Sequence, residues 1–445
     1  MSNREISTKG KTAKKLQFVD PQQLNPSEHN ARKHSRTQVR SIARSIEAFG
    51  FNAPIVVTQD GNILAGHGRF EAAKLLKLAR VPVVSVDHLS EIQAKAYMLA
   101  DNKLTDRSTW DDQKVAIQLK ELSDLAIDFE IEAIGFEPPE IDFRIQSLES
   151  ADDADKADDF QSPKGPAVAI LGDLWSLGPH RLYCGNSLDT TSYSTVMKAE
   201  QASAVFTDPP YNVKIDGHTG GKGRITHREF AMAAGEMTAS EFTDFLSTVM
   251  KAICAHTVQG AIIYACMDWR HMSEILSAGQ SSKCELLNLC VWAKTNGGMG
   301  SFYRSRHELI FVFRNGNEAH QNNVQLGRFG RNRTNVWNYP GASGFGRNGK
   351  VRPLELHPTV KPVAMVADAI LDSTKRGSIV LDAFIGSGTT LLAAERTGRR
   401  CYGIEVDPLY VDTAIERWQR MTGLEATNAA GQTYQAAKAA RGAVQ

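Results

Sequence analysis

The sequence predicts an α/β chain in which a Rossmann-like domain, with a mixed, mostly parallel sheet, is preceded by a small α+β domain. Three observations lead there. The apolar run Ala202 to Thr207 reads as a buried strand and opens straight into Asp208-Pro209-Pro210-Tyr211. Far downstream, a strand (Ser378 to Leu381), a glycine-bearing turn (Asp382 to Thr390), a helical stretch (Leu391 to Thr397) and a second strand (Cys401 to Asp407) follow in order. In the first third, a helical pattern precedes several short apolar runs.

The elements follow along the chain. Residues 1–15 are basic and polar with no apolar centre, so they read as a disordered tail and not a secretory signal. The first domain spans 16–145. Val39, Ile42, Ala43, Ile46 and Phe49 have the spacing of an amphipathic helix. Pro54 to Val57 and Ile63 to Ala65 are strands around the turn Asp60-Gly61-Asn62, and Val81 to Val86 is another. Between them Gly66-His67-Gly68-Arg69 opens a helix. Backbone N–H groups and a guanidinium converge at such a turn, which suits a phosphate, although a plain strand–helix turn with a surface arginine has the same sequence. Lys95, Lys103 and Arg107 lie in helical segments that either face DNA or form a solvated surface.

Glu149 to Asp159 carries six acids and one Lys, so residues 146–167 read as an acidic linker. The second domain covers 168–422, and 423–445 is expected to be a flexible tail with a frayed helix near Tyr434 to Arg441.

Chemistry concentrates at two turns. Consecutive prolines fix φ and remove two donors, so the turn after Thr207 is stiff and its carbonyls are free to accept. Asp208 adds a carboxylate and Tyr211 a flat ring. Together they suit a planar substrate bearing an exocyclic amine, such as a base turned out of a duplex. The second turn, with Gly386 and Gly388 at a helix N-terminus and Glu405 at the next strand end, has the order of a nucleotide site with the acid on ribose hydroxyls.

Composition narrows the class. The apolar fraction of 42% permits sizeable cores, and the net charge is only +1. Positive charge is local instead: Arg314 to Arg352 holds seven Lys/Arg against one Glu. Within it Phe329, Trp337, Tyr339 and Phe345 interleave with Arg328, Arg331, Arg333 and Arg347, a pattern for phosphate and base contacts that folds on meeting DNA. No apolar run reaches membrane-span length, and six scattered cysteines predict a reduced, cytoplasmic protein without bridges or a metal centre.

With both turns present, the second domain resembles the S-adenosylmethionine-dependent DNA amino-methyltransferases, which act on adenine N6 or cytosine N4. Leu182 to Ser187, Val291 to Lys294, Arg306 to Phe311 and His357 to Pro362 resemble further segments of that family, and the motif order resembles its β arrangement. The resemblance implies a Rossmann-like methyltransferase domain, double-stranded DNA as partner and S-adenosylmethionine as cofactor. It makes Asp208, Pro209, Pro210 and Tyr211 catalytic. It assigns the cofactor to Asn186, Asp208, Thr359, Lys361, Asp382, Phe384, Gly386, Gly388, Thr389 and Glu405. The family usually has an acid where Asn186 stands; the Asn carbonyl oxygen still accepts from an adenine amine. Asp at the head of the catalytic motif favours adenine N6 over cytosine N4. RNA and protein methyltransferases share related motifs, and β-type enzymes often form homodimers.

The first domain resembles the ParB N-terminal and sulfiredoxin-like fold through Asn25-Pro26, Asn30-Ala31-Arg32, Gly66 to Arg69 and Asp101 to Leu104. His67 stands where a reductase needs cysteine, which excludes that activity. The resemblance makes CTP, with Mg²⁺ held by Asp101, a candidate ligand. It also implies a prophage or plasmid origin, with restriction–modification as one setting. The alternative of another class is a ParB-like DNA-binding regulator whose methylase half only senses cofactor. Asp208→Ala separates the two, because only an enzyme loses methyl transfer.

Overall fold

The computed structural model describes residues 16–105, 110–125, 127–146, 148, 156–158, 166–213, 235–294, 303–328, 331–340 and 361–442. The chain divides into two compact units, Met1–Glu149 and Ser150–Gln445.

The first unit has the element order β1 (Gln17–Val19), α1 (Arg36–Phe49), β2 (Ile55–Val57), β3 (Ile63–Ala65), α2 (His67–Leu75), β4 (Val81–Ser85), α3 (Glu91–Thr105), α4 (Asp112–Asp124) and α5 (Pro138–Gln146). Helix α1 starts where the Ser35 side chain accepts from the Gln38 N–H and stops at Gly50, whose φ of 82° a larger residue would adopt at a cost. The sheet order is β1-β4-β2-β3, with β2 and β4 parallel and the other pairs antiparallel. Ile55, Val57, Ile63, Phe70, Val81 and Val83 form its core. Helices α4 and α5 add a small cluster of Val115, Leu119 and Ile141.

The second unit runs β5 (Leu174–Leu177), β6 (His180–Cys184), α6 (Thr190–Met197), β7 (Ala202–Thr207), α7 (Ala239–Ala255), β8 (Thr257–Met267), α8 (Met272–Ser281), β9 (Cys284–Ala293), β10 (His307–Asn315), β11 (Val336–Asn338), α9 (Val363–Ser373), β12 (Ile379–Asp382), α10 (Thr389–Thr397), β13 (Arg400–Glu405), α11 (Pro408–Thr422), β14 (Thr427–Asn428) and α12 (Tyr434–Gly442). Its sheet has the order β11-β9-β10-β8-β7-β12-β13-β6-β5-β14. Strands β8, β7, β12, β13 and β6 are mutually parallel, while β10, β5 and β14 run antiparallel to their neighbours. Parallel strands are covered on both faces, which is why β7 and β12 read as unbroken apolar runs. On β7, Phe206 joins one core with α9, α10 and α11, and Ala202 and Val205 join the other with α6, α7 and α8.

From β7 the chain returns through α7 to β8 on one side. From β12 it returns through α10 to β13 on the other. The carboxyl ends of β7 and β12 therefore flank a topological switch point, where open α/β sheets form their crevice.

Two expectations are corrected. The segment after Gly423 is docked: β14 pairs with β5, Tyr434 is buried edge-on to Trp175 with centroids 5.7 Å apart, and Arg441 pairs with Asp173 at 2.8 Å. An Ala- and Gln-rich composition hid one buried tyrosine that anchors the helix. The acidic linker is also tied down in part, since Asp158 Oδ1 accepts from the Val363 N–H at 2.9 Å and the Ala157 carbonyl from Arg417 at 2.7 Å. All six cysteines are free, with Cys254 and Cys284 Sγ atoms 3.0 Å apart. Among the described residues, no helix is long and apolar enough to cross a membrane.

Candidate active site

The site is built from the two strand ends at the switch point. Strand β7 delivers Asp208, and the buried Pro209 turns the chain behind it. Tyr211 Oη donates to Asp208 Oδ1 at 2.7 Å. Asn212, at φ 52°, donates to the Met237 carbonyl at 2.7 Å and accepts from the Gly235 and Met237 N–H groups at 3.1 Å, clamping the end of the Asp208–Tyr211 turn.

Asp208 is not isolated. The Lys361 ammonium lies 2.6 Å from its Oδ2, 3.0 Å from Glu308 Oε2 and 3.2 Å from Tyr211 Oη. Tyr211 Oη also reaches Glu308 Oε2 at 3.4 Å. The other oxygen of Glu308 accepts from the Lys294 ammonium, which sits 4.6 Å over the Trp292 ring. Two carboxylates and two ammoniums thus form one charge-balanced cluster. Burial pushes Asp208 above the ordinary carboxylate range, against the pull of Lys361. Burial would raise Glu308 as well, but Lys361 and Lys294 outweigh it and hold that group down to about 2. Burial lowers Lys361, yet Asp208 and Glu308 overcome it and keep the ammonium charged.

The second turn is organised from below by Asp382. Its Oδ1 accepts from the Phe384 N–H at 3.0 Å and its Oδ2 from Thr390 Oγ1 at 2.7 Å. Glu405, at the end of the adjacent β13, accepts from the Gly386 N–H at 2.9 Å and the Asp407 N–H at 2.8 Å. The buried Arg417 braces the Ser387 carbonyl at 2.7 Å. Gly386 and Gly388 have φ of 52° and 87°. A Cβ at Gly388 would lie 2.8 Å from Ala414 Cβ, whereas at Gly386 it would meet nothing within 4 Å. The turn is therefore packed at one glycine and open at the other, beside a buried acid. Those are the features a ribose-bearing cofactor needs. Thr389 begins α10, and Phe384 is half-buried with its ring 6.0 Å from that of Phe245. Asn186 follows β6 on the same sheet edge and is exposed, with Oδ1 accepting from the Leu188 N–H at 2.9 Å.

Asp208, Pro209, Pro210 and Tyr211 meet at β7, and Asp382, Phe384, Gly386, Gly388, Thr389 and Glu405 meet beside them. Lys361 joins the Asp208–Tyr211 turn itself, through Asp208, where a contact to the cofactor's methionine end was expected. Thr359 and Arg347 lie outside the described residues, as do 214–234 and the 341–350 part of the basic insert.

Arg331 and Arg333 are corrected. Arg331 is buried and pairs with Asp368 and Asp372 at 3.1 and 2.8 Å, and Arg333 pairs with the same two acids at 3.2 and 3.1 Å. Asp368 and Asp372 stand one helical turn apart on α9 and face both guanidiniums, so these arginines dock residues 331–340 instead of facing phosphates. Arg328 is exposed.

Glu308, Lys294 and Arg417 complete the site without being marked by the sequence motifs, in which Glu308 and Lys294 stand only as parts of later strands. A lone Glu at the head of an otherwise apolar strand, Glu308 before Leu309 to Phe313, was the available signal.

In the first unit, Gly66 (φ 98°) heads α2, His67 is buried with Nε2 accepting from the Ser27 N–H at 3.4 Å, and Arg69 donates to the Pro54 carbonyl at 3.2 Å. A Cβ at Gly66 would lie 2.8 Å from the Arg69 guanidinium, so this glycine lets the arginine fold over the turn.

A family model described as DNA methylase, of the N6/N4 type, matches residues 202–416, which hold both turns. A ParB N-terminal domain matches residues 5–116, and a ParB-methyltransferase HTH domain matches 113–170. The chain carries an N6/N4 DNA methylase domain and a ParB N-terminal domain. The ParB-like nuclease domain-containing protein YnaK of Escherichia coli is 42% identical over 79 residues, 18% of this chain and 91% of YnaK. Type II methyltransferase M2.DpnII of Streptococcus pneumoniae is 26% identical over 237 residues, 52% of this chain and 87% of that protein. Among solved structures, PvuII DNA methyltransferase, titled cytosine-N4-specific, aligns with a TM-score of 0.41 and 15% identity, covering 58% of this chain and 90% of its own. The helix-turn-helix match was missed from sequence: it takes in α4, α5 and the acidic stretch that reads as linker.

Proposed function

We propose that this DNA methylase transfers the methyl group of S-adenosylmethionine to the exocyclic N6 of adenine in double-stranded DNA. The observation that carries the reading is the placement of Asp208 beside the Asp382–Thr390 turn, at the switch point between β7 and β12. The open turn at Gly386 and the acid at Glu405 suit the cofactor, which when bound supplies an electrophilic methyl group.

The chain's residues act on the amine. An exocyclic amine is a poor nucleophile because its lone pair is delocalised into the ring. Asp208 and the Pro209 carbonyl, accepting its two N–H bonds, favour the tetrahedral geometry that returns the lone pair to nitrogen. Asp208 need not be a strong base, since the nitrogen becomes acidic only as the new bond forms. The face of Tyr211 stacks on the extruded base and offsets part of the few kcal/mol lost on unstacking. Cytosine N4 presents the same two N–H bonds, and Asp at the head of the motif supports adenine.

The ParB-like unit supports a DNA-proximal role, and the αL glycine and folded-back arginine at Gly66 to Arg69 support a nucleotide such as CTP there. Asp208→Ala tests the catalytic reading. Methyl transfer to bulk DNA falls by at least about 100-fold while calorimetric cofactor affinity stays within a few-fold. Retained transfer would remove Asp208 from the mechanism.

A further inference from the structure

Asp208 carries a donor on each carboxylate oxygen: Tyr211 Oη on Oδ1 at 2.7 Å and the Lys361 ammonium on Oδ2 at 2.6 Å. A cation at that distance competes with a neutral amine N–H for the same oxygen. Both donors also reach a second acceptor. Glu308 Oε2 lies 3.0 Å from Lys361 Nζ and 3.4 Å from Tyr211 Oη, each longer than the distance to Asp208. Glu308 is buried at the head of β10, where a lone carboxylate would be costly, and Lys294 occupies its other oxygen and offsets its charge. The cluster therefore contains one carboxylate facing the substrate and one held permanently behind it, with two donors between them.

We propose that Glu308 is a positioning residue that receives the Lys361 ammonium and the Tyr211 hydroxyl when a substrate amine claims Asp208. The proposal rests on the methyl-transfer reading of this site. The exchange moves no net charge and breaks no covalent bond: each donor shifts by a few tenths of an ångström from the nearer carboxylate to the farther one. Lys294 keeps Glu308 ready by neutralising it on the side away from Asp208. Without the Glu308 charge, Asp208 is the carboxylate left beside Lys361 among the described residues, and Lys361 stays on it.

The test is a double-mutant cycle between Glu308→Gln and Lys361→Met, read as single-turnover methylation of bulk DNA from a methylase-free host at saturating cofactor. Calorimetric cofactor titration and thermal unfolding accompany all four proteins. Glu308→Gln is expected to slow the native enzyme at least about tenfold and to cost less than about threefold in the Lys361→Met background. Cofactor affinity should be unchanged between the two members of each such pair. An equal cost in both backgrounds, or no cost in either, overturns the proposal. Should Glu308→Gln alone fail to fold, the charge-balanced double variant beside Lys361→Met decides: equal rates support the exchange, and a tenfold deficit overturns it. A native enzyme without methyl transfer sinks the methyl-transfer reading and this inference together. An active native enzyme with additive variants sinks this inference alone.

Discussion

Burial pushes the carboxyls of Asp382 and Glu405 up to about 7, and backbone and hydroxyl donors only partly offset it. In the unfolded chain both titrate near ~4, so between those values the folded state holds protons that the unfolded state has lost. Their contribution to stability is thus greatest in acid and falls as pH rises toward 7. Cofactor binding works the other way: Glu405 accepts hydroxyl bonds best when ionised. Cofactor affinity is expected to weaken by up to about tenfold per pH unit below 7, and calorimetric titration between pH 6 and 8 checks it. A flat profile would mean that Glu405 does not touch the cofactor. At this scale the sequence was a partial guide. Asp208 and the glycines of the second turn stood out because prolines and glycines constrain the backbone locally. Glu308 did not, because its partner Tyr211 is 97 residues away and the antiparallel run of β10 beside β8 brings them together.

Elements were legible where burial is two-sided or periodic. Strands β7, β12 and β13 and helix α1 lie within a few residues of their expected spans, because unbroken apolar runs and a 3.6-residue period leave little choice. Two elements were misread where composition pointed to disorder. Residues 331–340 are rich in Asn and Arg, but Asp368 and Asp372 on α9 absorb the arginines and β11 extends the sheet. An acid pair at i, i+4 on an otherwise apolar helix was the clue. The C-terminal segment was misread for lack of apolar residues, yet Tyr434 inserts beside Trp175. Tyr434→Ala should destabilise the second unit by about 3–5 kcal/mol, measured as a shift in urea unfolding. An unchanged midpoint would show that α12 does not anchor the sheet edge.

At the scale of the whole molecule, a DNA methylase domain follows a ParB-like domain in one chain, and each has its own sheet and core. That division was visible in the acidic run Glu149 to Asp159 and in the change of pattern across it. The target base was not, since adenine and cytosine offer the same amine to the same acceptors. The most direct measurement of the central claim is nucleoside mass spectrometry on DNA from a methylase-free host expressing the chain, beside Asp208→Ala. N6-methyladenine with the native chain and none with the variant is the predicted result. N4-methylcytosine would keep the chemistry and overturn the base. The absence of both marks from a folded, cofactor-binding chain would contradict methyl transfer to DNA.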